Sequence, residues 1–171
     1  MSQTVMHNSM IMQPQYRNRH NFMIFGGFLL RQAFELAFCC CAAFSHTRPT
    51  FISLDPSTFE NPVPVGSVLY LSATVAYTDP PLIKTLDPNQ KLGEVPPKTH
   101  NGKATSTRIQ VRVDSKVRNV EHGTTKPTGQ FNYTFLVEKD IQVMPQTYSE
   151  FMIWVDARRR AERVKASIGG L

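Results

Sequence analysis

The stretch "RHNFMIFGGFLLRQAFELAFCCCAAFSHTRPTFISLD", from Arg19 to Asp55, decides how the rest of the chain is read. Its middle, Phe22 to Phe44, is apolar enough and long enough to cross a membrane. Three readings compete: a membrane anchor, a secretory signal, or the core helix of a globular domain. A secretory signal opens near residue 1 with a basic end and a short apolar core, whereas here a polar stretch comes first. A membrane span carries few charges, yet Arg31, Gln32 and Glu35 stand near the centre of this one. A charge there costs roughly 2.5–3.5 kcal/mol on insertion scales. Arg31 and Glu35 are four apart, so they can face each other on a helix. Leu29, Ala33, Leu36 and Cys40 form one apolar stripe, and Phe28, Gln32, Glu35 and Cys39 form another face. The helix is apolar nearly all round, which predicts burial on most sides. A core helix covered by a sheet meets these demands, and no transmembrane span is expected. Pro49, which lacks a backbone donor, ends the helix at Thr47-Arg48-Pro49.

The chain has 171 residues, 41% hydrophobic and 19% charged, a composition that suits one folded domain and not a disordered one. Its net charge is +6, and a basic surface favours anionic partners. No zinc-finger or aromatic RNA-reading signature is present, so nucleic acid is not expected as the partner. Cys39, Cys40 and Cys41 are the three cysteines and they are adjacent. That arrangement gives neither a disulfide framework nor a CxxC metal spacing, and points to a reducing compartment. The three thiols read as small apolar side chains of a buried helix.

A short strand is expected near Met10–Met12, before the helix, and four more after it. "TFISLD" (Thr50–Asp55) is short and β-rich. "SVLYLSATVAYT" (Ser67–Thr78) puts Leu69, Leu71, Ala73, Val75 and Tyr77 on one face. "TRIQVRVDSKV" (Thr107–Val117) turns Ile109, Val111 and Val113 inward and Arg108, Gln110, Arg112 and Asp114 outward. "FNYTFLVEK" (Phe131–Lys139) shares Phe131, Tyr133, Phe135 and Val137 on one face. Such alternation marks antiparallel strands with one wet side. A long exposed loop rich in Pro, Lys and Asp is expected over residues 79–104, and a shorter polar connection from Gly123 to Gly129. Tyr148 to Arg163 reads as a helix after Pro145, carrying the basic run "RRRAERVK" (Arg158–Lys165). That run is either a solvated face or a phosphate contact. The organisation is an N-terminal segment with the first strand (1–12), a main domain (13–145) and a basic helix and tail (146–171). One long helix with an antiparallel sheet curled around it is an α+β hotdog arrangement.

Four blocks carry a resemblance: "QPQYRNRHNFMIFGGFLLRQAFELAF" (Gln13–Phe38), "FENPVPVGSVLYLSATVAYT" (Phe59–Thr78), "IQVRVDSKV" (Ile109–Val117) and "FNYTFLVEKD" (Phe131–Asp140). Together they closely resemble the second hotdog domain of eukaryotic acyl-CoA thioesterases of the acyl-coenzyme A thioesterase 9 type. The resemblance implies hydrolysis of a fatty acyl-CoA to free acid and CoA, with no metal and no redox cofactor. It implies that an acidic residue of the central helix, here Glu35, acts as general base or nucleophile. It implies an asparagine ahead of the Phe-Gly-Gly that places water or substrate: Asn18, with Asn21 as the competitor. It implies that the backbone at Gly26-Gly27, Gly27 foremost, polarises the thioester carbonyl. Elementary physics agrees on this last point. Glycine admits close approach to the backbone, and a helix N-terminus offers unpaired N–H donors of the kind that stabilise an oxyanion. Arg158 and Arg159 are the residues placed to meet the phosphates of CoA.

Relatives of this type carry two hotdog domains in tandem and build the site between paired units. The chain is therefore expected to form a homodimer or to pair with another hotdog domain. The resemblance implies a mitochondrial location, or a cytoplasmic one for a truncated product, since no transit peptide is evident in the first residues. The competing reading is a hotdog half without catalysis that dimerises with, or regulates, a full tandem enzyme. A hotdog dehydratase needs a histidine on the helix, and His20 and His46 lie outside its centre.

Overall fold

The computed structural model describes residues 1–19, 23–79 and 106–168. Five strands form one antiparallel sheet: β1 (Met6–Ile11), β2 (Thr50–Leu54), β3 (Val68–Thr78), β4 (Thr107–Arg118) and β5 (Thr125–Val137). Their spatial order is β1-β3-β4-β5-β2. Between β1 and β2 runs the helix α1 (Gly26–Ser45), and α2 (Tyr148–Ile168) follows the last strand. The sheet wrapped on α1 is the hotdog fold, class α+β. By length and composition α1 could cross a membrane. Here its buried stripe of Leu29, Ala33, Leu36, Ala37, Cys40 and Cys41 lies in the same core as Leu69, Leu71, Val111, Val113, Phe131 and Phe135 of the sheet. Full burial of a side chain such as Phe135 contributes about 1.5–3 kcal/mol. His46 closes α1 in the left-handed region, φ 54°, donating its amide to the Ala42 carbonyl, a common helix end.

Strands β3 and β4 pair in continuous register from Val68↔Arg118 to Val75↔Val111, then resume at Tyr77↔Gln110. Ala76 is the extra residue, a β-bulge. Because side chains alternate with period two, that one residue moves everything after it to the opposite face. Tyr77, expected beside Val75, therefore points to the outer side with Gln110, while Thr78 turns inward opposite Ile109. On the outer side α2 packs over it. Tyr77 meets Trp154 edge-on, ring centroids 5.4 Å apart, and Ala157 and Ala161 are buried with Ala76 and Tyr77. Gln110, expected to face solvent, is on the outer face as read but is buried. The start of α2 is fixed by a reciprocal cap. The Glu150 amide donates to Thr147 Oγ1 at 3.3 Å, and the Glu150 carboxylate accepts from the Gln146 amide at 2.7 Å.

Several boundaries differ from the reading of the sequence. The first strand is Met6–Ile11, upstream of the expected Met10–Met12, and it pairs with β3 along its whole length. The polar run Gly123–Gly129 is a loop only at its start; β5 already begins at Thr125 and includes Pro127. Proline is tolerated there for two reasons. The register shifts between Ser115 and Lys116, so Pro127 stands beside a bulge, and it lies near the start of the strand, before the Tyr133–Leu136 stretch that β2 pairs. Nor is α1 buried all round: Arg31, Glu35, Cys39 and Ala43, each four apart, form an exposed row. Asn21, His20 and residues 80–104 of the expected loop lie outside the described residues.

Candidate active site

The polypeptide reaches α1 through a short hairpin. Pro14–Tyr16 forms a 3-10 turn, Arg17 bridges to Ile24, and the Asn18 amide donates to the Met23 carbonyl at 2.7 Å. Phe25 then caps the helix with extended backbone and no side-chain acceptor for the first turn. Phe28 and Leu29 donate back to the Phe25 carbonyl. The amides of Gly26 and Gly27 belong to the set that a helix leaves without intrahelical partners.

Both glycines have a packing reason as well. A Cβ on Gly27 would collide with the Phe25 ring, and one on Gly26 would come within 3.1 Å of the Phe59 ring. The space beside the helix start is a surface pocket of about 470 Å³. Asn18, Phe25 and Phe28 line it, with Tyr16 and the two arginines Arg17 and Arg19. The Tyr16 and Phe28 rings stack, centroids 3.9 Å apart and planes 14° from parallel. Asn18 thus shares a pocket with Phe25, the residue before Gly26, while neither glycine lines it and Gly26 lines a second pocket with Phe59.

Glu35 is not brought to them. It is two turns further on, and eight residues of helix separate it from Gly27 by about 12 Å along the axis, more than its side chain spans. Its carboxylate accepts from Arg31 Nε at 2.9 Å, and both side chains are largely in water, Arg31 74% and Glu35 50% exposed. The expected pairing exists, but the apolar enclosure expected around this acid does not. Arg158 and Arg159 are not brought to the pocket either. They ride on α2, on the outer side of the sheet. Arg158 is tied to Glu162 at 2.9 Å and lies over the Trp154 ring at 5.6 Å. Its neighbour Arg160 pairs with Asp156 and reaches Asp55 at 3.5 Å.

The sequence reading missed two groups. Tyr133, counted only as a core residue, donates its hydroxyl to the Leu30 carbonyl of α1 at 2.9 Å, and burial pushes its phenol up to about 12. Arg17 and Arg19 were passed over because they flank the asparagine that drew attention. Burial likewise pushes the Cys40 and Cys41 thiols up to about 12, so neither is a ready nucleophile. Cys39 faces solvent. Among the described residues no group of three or more His, Cys, Asp or Glu is placed to hold a metal ion.

No family model matches the chain. Individual proteins do. Bovine mitochondrial acyl-coenzyme A thioesterase 9 is 34% identical over 159 residues, 92% of this chain. The human protein of the same name is 35% identical over 87% of it, and acyl-coenzyme A thioesterase 2, chloroplastic, of Humulus lupulus is 34% identical over 93%. The chain is a hotdog domain of the acyl-CoA thioesterase 9 type. It spans 30% of the bovine, 28% of the human and 32% of the hop protein. Solved structures agree on the fold of this thioesterase-type domain. An apo-hexameric acyl-CoA thioesterase superposes with a TM-score of 0.76 at 21% identity, covering 98% of this chain and 94% of that one. The Staphylococcus aureus acyl-CoA hydrolase, solved with butyryl-CoA, CoA and CoA disulfide, gives 0.74 at 21% identity over 98% and 90%.

Proposed function

We propose that this hotdog domain hydrolyses acyl-CoA: water adds to the thioester carbonyl, the C–S bond breaks, and a carboxylic acid and coenzyme A leave. The observation that carries this is a pocket lined by Asn18, Phe25 and Phe28, beside the open helix start that follows Phe25, in a chain homologous to acyl-CoA thioesterases. The Gly27 amide, with Gly26 beside it, holds the carbonyl oxygen as it gains charge. Asn18 orients water or substrate, with Asn21 as the alternative asparagine. Glu35 takes the proton from water or attacks the carbonyl itself.

The 12 Å rise between Gly27 and Glu35 implies that the acid serves a neighbour's pocket, not its own. Pairing is supported by the surface beside it. On the edge strand β2, Phe51 and Ile52 are nearly half exposed, and the Phe51 ring meets Phe34 of α1 edge-on at 5.3 Å. An edge strand with exposed apolar side chains seeks a partner. A second hotdog unit, either another copy or a tandem partner, covers it. The relatives' names support a mitochondrial location, with the hop chloroplast protein and a cytoplasmic truncated form as alternatives.

A second reading rests on the Arg31–Glu35 ion pair: a hotdog half in which Glu35 is only a surface charge and the unit serves a longer enzyme. Subunit complementation separates the two. Glu35→Gln and Asn18→Ala chains are purified separately, then mixed after mild dissociation. If each site draws on two copies, half of the pairs are mixed and each mixed pair holds one intact site. Activity should then return to about a quarter of the parent value. A mixture as inactive as its components, beside an active parent, rules out the shared site.

A further inference from the structure

Within the acyl-CoA reading above, on which this rests, we infer that Arg17 and Arg19 are the residues that bind the phosphate groups of the coenzyme A moiety. They line the pocket that holds Asn18 and borders the helix start, and none of the described residues lining it is acidic. Neither arginine is in an ion pair among the described residues. Four other arginines are already neutralised: Arg31 by Glu35, Arg112 by Asp114, Arg158 by Glu162, and Arg160 by Asp156 and Asp55. A phosphate approaching Arg158 would have to displace Glu162 and would meet its charge; one approaching Arg17 or Arg19 displaces only water.

The backbone supports the arrangement. The bridge from Arg17 to Ile24 and the Asn18–Met23 hydrogen bond fix the backbone of Arg17 and Asn18, and Arg19 follows directly in a turn. Arg17 and Arg19 are two residues apart, and both line the same pocket. The guanidinium fork offers paired donors that match phosphate oxygens. The stacked Tyr16 and Phe28 rings form an apolar wall along which a pantetheine arm can run from the helix start toward the two cations.

The test is equilibrium binding of CoA and of pantetheine, which lacks the phosphates, to the purified full chain by calorimetry at low salt. Hydrolysis of acyl-CoA and of acyl-N-acetylcysteamine runs in parallel. The Arg17→Gln/Arg19→Gln chain should bind CoA about tenfold more weakly, the size expected for two solvent-screened charge contacts. Its pantetheine affinity and its turnover of the phosphate-free thioester should match the parent. The parent's preference for CoA should shrink as salt rises. Arg17→Lys/Arg19→Lys should recover most of the affinity, which separates charge from packing. Equal CoA affinity in parent and Gln variant overturns the assignment, as does a parent that binds CoA no better than pantetheine. If the parent hydrolyses neither thioester yet loses CoA affinity in the Gln variant, the phosphate site stands and the thioesterase reading falls.

Discussion

Replacing Glu35 by Gln separates a base from a surface charge, because the structure makes the two consequences differ in size. The pair it breaks, Arg31–Glu35, is an i,i+4 contact between side chains 74% and 50% exposed. Such pairs contribute about 0.3–0.5 kcal/mol. For a chain of this size that lowers the melting temperature by less than about 2 °C. Glutamine keeps the side-chain length, and the buried stripe of α1 is untouched. Loss of a positioned general base instead costs about 10²–10⁴-fold in rate, or about 3–5 kcal/mol of barrier. The assay is release of CoA from acyl-CoA followed with a thiol reagent, with a melting curve on the same preparation. Arg31→Ala is the companion, since it breaks the same pair and keeps the carboxylate; it should melt like Glu35→Gln and hydrolyse within a few-fold of the parent. If Glu35→Gln turns over acyl-CoA at the parental rate, Glu35 is only the partner of Arg31 and the reasoning is wrong.

Three further outcomes are expected. Tyr133→Phe removes the hydroxyl that ties the sheet to Leu30 of α1 and should destabilise by about 1 kcal/mol, read by chemical denaturation; an unchanged midpoint would make that bond dispensable. In the native state a thiol-alkylating reagent should modify Cys39 and spare Cys40 and Cys41, whose thiols are held at about 12, and peptide mass mapping reads the sites; all three should react after unfolding. Burial raises the Asp55 carboxyl above its usual 3.8, with Arg160 opposing part of the shift. A raised folded value means the native state binds the proton more tightly than the unfolded chain. Stability from this group is therefore greatest at low pH and falls as pH rises from 3.8 through the folded value. Asp55→Asn should flatten that slope in denaturation curves taken from pH 4 to 7, and an identical slope would count against it.

The central helix and the three long strands were legible because each repeats a period the backbone imposes. Leu69, Leu71, Ala73 and Val75 alternate, and so do Ile109, Val111 and Val113. Tyr77 was misplaced because nothing in "VAYT" announces an extra residue at Ala76; only the partner strand's register reveals it. The start of β5 was hidden by Pro127 and Gly129, residues that read as a turn until the adjacent bulge is known. At the site, Gly26-Gly27 could be read from backbone physics, and Asn18 was placed by resemblance. The exposure of Glu35 could not be read, since an apolar helix gives no sign of which side its sheet leaves bare. Arg17 and Arg19 lacked a signal of their own because the basic run on α2 offered more charge; of that run, Arg158 and Arg160 turn out to be paired with carboxylates.

The extra residue at Ala76 gives β3 two allegiances. Upstream of it the strand answers to α1, and downstream Tyr77 answers to α2. A version of the chain shortened before Tyr148 would keep α1 packed on the sheet and lose Ile153 and Trp154 from the border of the main core, so it should still fold. It would also leave Ala76 and Tyr77, with the buried Gln110 beside them, bare on the outer wall. Trimming the C-terminal helix to obtain a minimal unit should therefore yield a folded but adhesive protein, one that self-associates through a face the intact chain keeps sealed.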